Sequence, residues 1–177
     1  MIISPMAYAV IVTGVGQCVI NSLNITPESG GVPTGMRQCL LVPGIEIAAD
    51  SCKCGQFAQA ITRIQPTLTY PADASNNVIQ GGCGDRSMMA IVNATIFRCV
   101  PGLTSAGNPP TCESLYQAAL IQAGDEYAMR RGIECCLADM KSSRPQRIID
   151  YRVAGTDFIG PEGNCSGVSI TYSFQLV

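Results

Sequence analysis

Gly160-Pro161-Glu162-Gly163-Asn164-Cys165-Ser166-Gly167 runs into Val168-Ser169-Ile170-Thr171-Tyr172-Ser173-Phe174-Gln175-Leu176-Val177. From Val168 onward the apolar residues Val168, Ile170, Tyr172, Phe174 and Leu176 hold one parity, and Ser169, Thr171, Ser173 and Gln175 the other. Period 2 without exceptions predicts a strand with one buried face and one wetted face. The preceding Gly/Pro/Asn cluster predicts a turn over 156–166, read as a hairpin turn in preference to an anion-binding nest. The sheet that holds this strand organises the chain, and the other segments are its remaining strands and its cover.

Working back from there, 144–154 reads as a further strand. Met88 opens the longest strand candidate, 88–100, which is apolar on both parities and therefore central. Residues 56–64 and 36–42 read as two more strands, the second stopped by Pro43-Gly44; 45–49 is ambiguous. Two helices complete the set. Ser4-Pro5 gives an N-cap and a first-turn proline for a helix over 5–23. Val10, Gly14, Cys18 and Asn21 make one stripe on it, and Ala7, Ile11, Val15 and Val19 the next. Thr111 caps a second helix running to about 141, with Glu113 in its first turn where a carboxylate suits the helix dipole. On it Leu115, Ala119, Met129, Ile133, Cys136, Leu137 and Met140 are expected inward, and Asp125, Glu126, Arg130, Arg131, Glu134 and Asp139 outward. Residues 26–35, 66–87 and 101–110 are loops, and 66–87 is long enough to be a contact arm. The expected architecture is one α+β domain over 1–177: an antiparallel sheet of four to five strands with two helices on one face.

At 177 residues such a domain buries roughly 70% of its unfolded surface, so disulfides are not needed to make a core. Charged residues are 14% of the chain, against roughly 25% in ordinary soluble domains, and mean hydropathy is +0.24. A chain of this kind either spans a membrane or hides much of its outside against other subunits. No Lys or Arg precedes Arg37, and Gly14, Gly16, Gln17 and Asn21 interrupt the apolar N-terminal run, which argues against both a signal peptide and a spanning helix. A net charge of −2 leaves no basic footprint for duplex binding.

Ten cysteines and no histidine narrow the chemistry. Metal binding would have to be all-thiolate, and no Cys-x-x-Cys knuckle exists. The spacings favour mostly reduced or core cysteines, with one or more disulfides as the next reading and a metal last. Cys135-Cys136 lies inside a helix with side chains about 100° apart, so one faces the core and the other the rim. Cys52-Lys53-Cys54 suggests an activated thiolate, but Gly55 leads into a strand where a thioredoxin-type site would open a helix. Gly14-Val15-Gly16 lacks a third glycine and a preceding strand. Asp125-Glu126 reads as solvated-face pairing rather than acid/base chemistry. Histidine, the commonest general base, is missing. No catalytic, cofactor-binding or metal-ligating residue is assigned, and no enzyme is expected.

Several short motifs occur together: Cys39-Leu40-Leu41-Val42-Pro43-Gly44 with Glu46, Cys52-Lys53-Cys54-Gly55-Gln56, Arg98-Cys99-Val100-Pro101, Cys135-Cys136-Leu137, and the Gly160–Gly167 turn before a final strand. In that order, across 1–177, the chain resembles the tail terminator proteins of long-tailed phages infecting actinobacteria, members of the head-to-tail connector group. The resemblance implies a structural virion protein of the tail and neck, assembled in the host cytoplasm. It would form a hexameric ring on the head-proximal end of the tail tube, with the tail tube protein, a head-side connector or stopper protein and its own copies as partners. DNA would pass through the lumen without specific contact, and no membrane is involved. The alternatives are a neighbouring connector role (stopper or adaptor), a redox or metal-binding module using Cys52 and Cys54, and a secreted disulfide-bonded binding module.

Overall fold

The computed structural model describes residues 5–33, 35–44, 55–67, 70–71, 87–143, 148–162 and 164–176. Helix α1 (Pro5–Ile25) is followed by a 3₁₀ turn (Pro27–Ser29) and strands β1 (Arg37–Val42), β2 (Gln56–Pro66) and β3 (Met88–Cys99). Helix α2 (Cys112–Ser142), β4 (Ile148–Glu162) and β5 (Cys165–Leu176) complete the chain. The five strands form one sheet in the order β1-β2-β3-β5-β4, so the fold is α+β and β3 is central as expected. Ser4, the segment 45–54, most of 66–87 and 144–147 lie outside the described residues.

The sheet is mixed rather than antiparallel, because β1 runs parallel to β2 while every other pair is antiparallel. Parallel neighbours need a crossover instead of a tight turn, and the chain between Val42 and Gln56 is long enough to make one. The end of the chain also differs from expectation. The turn predicted over 156–166 is strand for most of its length, and β4 pairs β5 through Phe158↔Val168, Ile159↔Gly167 and Glu162↔Cys165. Register shifts between Val153 and Thr156 and between Ile159 and Glu162 absorb Gly155 and Gly160-Pro161. Bulges on an edge strand tolerate glycine and proline that an inner strand would reject.

One apolar cluster joins the helices to the sheet. It holds Tyr8, Ile11, Val12, Val15, Val19, Ile20 and Leu23 of α1, Ala128, Met129, Ile133, Cys136 and Leu137 of α2, Ala90, Val92, Ala94 and Ile96 of β3, and Val168, Ile170, Tyr172, Phe174 and Leu176 of β5. The five apolar residues of the final strand that share one parity are all buried. Their opposite face is not wetted as expected: Ser169 and Gln175 are buried and Thr171 and Ser173 half-buried. Ser169 Oγ donates to Asn93 Oδ1 at 2.6 Å and lies 3.0 Å from Thr95 Oγ1. The Tyr70 hydroxyl reaches across to donate to Ser173 O at 2.9 Å. The polar parity therefore pairs across the strands and with the Tyr70 hydroxyl.

On α1 the stripe Ile11, Val15, Val19 is core, whereas Val10 and Asn21 of the other stripe are exposed and Cys18 lies at the rim. By length and composition alone, Met6–Ile25 would cross a membrane, yet its inner face is built into the core. Gln59, wholly buried, donates to Val12 O at 2.9 Å and Leu40 O at 3.0 Å and accepts from the Tyr172 hydroxyl at 2.9 Å. Three bonds satisfy this amide and tie α1, β1, β2 and β5 at one point. Burial pushes the Tyr172 phenol far above its ordinary range, which keeps it neutral and donating.

The thiol reading is corrected in part. Cys18 and Cys136 form a disulfide between the two helices, with Cα atoms 6.1 Å apart, and Cys165 is also disulfide-bonded. Cys39, Cys99, Cys112 and Cys135 are free. The adjacent pair divides as expected, Cys136 to the core and Cys135 to solvent.

Candidate functional site

Helix α2 has two halves with different surroundings. Thr111 caps it, its Oγ1 accepting from Ser114 N at 3.2 Å. From Gly124 onward the helix packs on the body, and two glycines set its approach. A Cβ at Gly124 would collide with the Glu28 carbonyl, and one at Gly132 would stand 2.9 Å from the Val19 Cα. The first half, from Cys112 to Ala123, is mostly exposed and stands over a cleft, tied to the body where Gln122 Nε2 donates to Gly167 O at 2.6 Å. Leu115 and Ala119, expected inward, are exposed. The inward assignment assumed a partner along the full helix, and the partner covers only the later turns.

That exposed half carries an apolar stripe. Tyr116, Leu120, Ala123 and Tyr127 fall at i, i+4, i+7 and i+11, the spacing of a helix face built to be covered, and all four are exposed, Tyr116 by 58% and Tyr127 by 56%. Beside the stripe a groove of about 820 Å³ is lined by Ile25, Pro27, Leu120, Ile121 and Tyr127, with Glu28 and Arg131 at its margins. Ile25 is itself 70% exposed. A contiguous apolar surface of this kind, rimmed by polar groups, marks an interaction site.

On the other flank of the same helix half a second cleft, about 510 Å³, is bounded by the end of β3, the start of β5 and the loop at Gly30 and Pro33. Its floor is an ion pair. Arg98 Nη2 donates to Asp125 Oδ1 at 2.7 Å, and Arg98 Nε donates to Asp125 Oδ2. The same guanidinium donates to Ser29 O at 2.9 Å and Gly31 O at 2.7 Å. Asp125 was expected on the solvated face; it is 1% exposed. Burial pushes its carboxyl above the ordinary carboxylate range, and the Arg98 bonds pull it back part of the way. Glu126 behaves as expected, accepting from Arg130 Nε at 2.8 Å on the rim. Sequence periodicity missed the buried pair because its cation lies on β3, 27 residues away. The one available signal was Arg98 itself, the single charge in a mostly apolar central strand.

Arg98 spends its bonds on Asp125 and on the carbonyls of the 3₁₀ region, which describes a clamp holding strand, helix and loop together. Among the described residues no group of three His, Cys, Asp or Glu is placed to hold a metal ion. Cys52, Lys53 and Cys54 lie outside the described residues, as does most of the 66–87 contact arm. Gly160 and Pro161 belong to β4. The best-formed feature is thus the exposed stripe of α2, set at a fixed angle by the Arg98 clamp. Comparison with known protein families and with curated proteins finds no match.

Proposed function

We propose that the protein is a structural ring subunit of a phage head-to-tail connector, a tail terminator that caps the head-proximal end of the tail tube. The observation that carries the proposal is the uncovered Tyr116-Leu120-Ala123-Tyr127 stripe with its adjoining groove. The first half of α2 exposes Leu115, Tyr116 and Leu120 and carries one charge, Glu113. An isolated monomer gains nothing from such a surface, whereas a closed ring covers it on every copy through heterologous contacts. The order of short motifs supports the connector class, and the low charge content and mildly acidic balance suit a lumen through which DNA slides without being held.

The test is native mass across a concentration series, with negative-stain imaging of the same fractions. A closed ring of about six subunits is the expected result. Leu120→Asp and Tyr116→Asp are expected to break it while leaving the circular dichroism spectrum unchanged. A monomer at every concentration, and also in the presence of tail tube, would refute the proposal.

A further inference from the structure

The cleft beside Arg98 holds more than the clamp uses. Its volume, about 510 Å³, falls inside the range of about 300–1,000 Å³ typical of small-molecule sites. Ile96, Val100, Pro101 and Ile121 supply apolar walls. Among the described residues lining it, only Arg98 and Asp125 are charged, and they neutralise each other. Three polar atoms there have no protein partner among the described residues. Arg98 makes its four bonds through Nε and Nη2, which leaves both N–H groups of Nη1 unused. Ser166 is the register partner of Arg98 across the β3–β5 ladder, so the two side chains share a face. It is 7% exposed, and its hydroxyl bonds to nothing. Gln122 Nε2 is taken by Gly167 O, while Gln122 Oε1 accepts nothing. None of the three atoms is sealed in the interior, and all three residues line the cleft. A hydroxyl as buried as that of Ser166 costs free energy unless it is bonded.

We infer that this cleft binds a small neutral amide with an apolar substituent. The amide carbonyl accepts from Arg98 Nη1 and from the Ser166 hydroxyl, and the amide N–H donates to Gln122 Oε1. The substituent lies against Ile96, Val100 and Ile121. A carboxylate in the same place would stand against Asp125, whose charge already occupies the guanidinium, and an ammonium would stand against Arg98. A hydrocarbon would leave all three polar atoms unpaired. The cleft thus selects a neutral group with one acceptor and one donor, partly by what it repels. The Tyr116-Leu120-Ala123-Tyr127 stripe lies on the opposite flank of α2, so the site does not depend on the assembly reading.

Cys99, an exposed free thiol that lines the cleft, supplies the readout. The full-length protein is treated with methyl methanethiosulfonate, with and without N-benzylacetamide at millimolar concentration. Peptide mapping follows Cys99 beside Cys135, an exposed free thiol that does not line the cleft. Saturation-transfer NMR of the same samples reads binding without the thiol. At about twice its Kd the amide should slow Cys99 modification about threefold and leave Cys135 unchanged. Hydrocinnamate, a carboxylate of similar shape, should bind at least about tenfold more weakly. Ser166→Ala should weaken amide binding about two- to tenfold, the worth of one hydrogen bond. Ala118→Phe, which fills the cleft from α2, should abolish it. Absence of both protection and NMR transfer, equal binding of the carboxylate, or binding that neither substitution changes would overturn the inference. Protection by an acetylated tripeptide amide alone would assign the cleft to a chain segment and overturn it too.

Discussion

Removing Asp125 should cost more than removing both members of its ion pair is worth. With Asp125→Ala, Arg98 keeps two backbone acceptors, Ser29 O and Gly31 O, but its charge stands in a site where the side chain is only 14% exposed. An uncompensated buried charge of this kind costs about 3–5 kcal/mol. Arg98→Met instead leaves the Asp125 carboxyl without its donors and orphans the Ser29 and Gly31 carbonyls, at about 1–3 kcal/mol for each buried group. Asp125 then has an escape, because burial already pushes its carboxyl upward and protonation removes the charge. Protonation of Asp125 is therefore expected to offset part of the Arg98→Met cost, and more of it as pH falls. In the double variant Arg98→Met/Asp125→Leu neither charge remains, and the cost should fall short of the summed single costs by at least about 2 kcal/mol. Urea unfolding of the four proteins, followed by circular dichroism with the slope held common, measures that coupling. Additivity within about 0.5 kcal/mol would show that the pair does not act as a unit, and the clamp argument would fail.

The same carboxyl makes a pH prediction whose sign opposes ordinary acid denaturation. Its folded pKa is raised from 3.8, so between that raised value and 3.8 the folded state binds more protons than the unfolded one. Over this window wild-type stability should rise relative to Asp125→Asn as pH falls; a relative loss, followed by thermal unfolding at stepped pH, would show that Arg98 outweighs burial. Reducing the Cys18–Cys136 link, which closes a separation of 118 residues, should cost about 2–5 kcal/mol, read as a lower urea midpoint in Cys18→Ser/Cys136→Ser. Tyr172→Phe removes the donor to buried Gln59 Oε1 and should cost about 1–3 kcal/mol in the same assay. Gly132→Leu should destabilise by about 1–3 kcal/mol or more, since α1 backbone already stands against that position.

The parts of the fold legible in the sequence are those where one local rule decides. Alternation in 168–176 picked out the buried parity of β5, a run apolar on both parities but for Asn93 and Thr95 placed β3 at the centre, and a capping threonine fixed the start of α2. What escaped was set by pieces distant in the chain. Whether β1 runs with or against β2 depends on the crossover between them, not on the six residues of β1. The odd-numbered face of β5 looks wetted because Ser, Thr and Gln are polar, but cross-strand hydroxyl bonds and Tyr70 make it an interior surface. Gly160-Pro161 looks like a turn until β5 offers β4 a ladder that a bulge can accommodate. The disulfide between Cys18 and Cys136 joins two helices whose contact no spacing rule announces.

Those same long-range effects explain why the faces of α2 differ from the sequence expectation. Periodicity ranks helix faces by composition, so Leu115 and Ala119 were assigned inward with Met129 and Ile133, and Asp125 outward with Glu126. The body of the protein reverses three of these assignments: Asp125 is buried against Arg98 at the end of β3, and burial of α2 begins only at Gly124, so Leu115 and Ala119 stay exposed. Buried charge holds the α2 axis in place while the apolar turns before it are left uncovered. An aliphatic residue at 125 would bury as readily, but it would fix neither the 3₁₀ carbonyls nor the end of β3. Under the proposed ring assembly, the charge pair would give the exposed turns of α2 the defined direction that a repeated contact between copies requires. This predicts that Arg98→Met/Asp125→Leu stays folded yet assembles poorly. Native mass beside the urea midpoint separates the two properties, and undiminished assembly in that variant would reduce the pair to a packing detail.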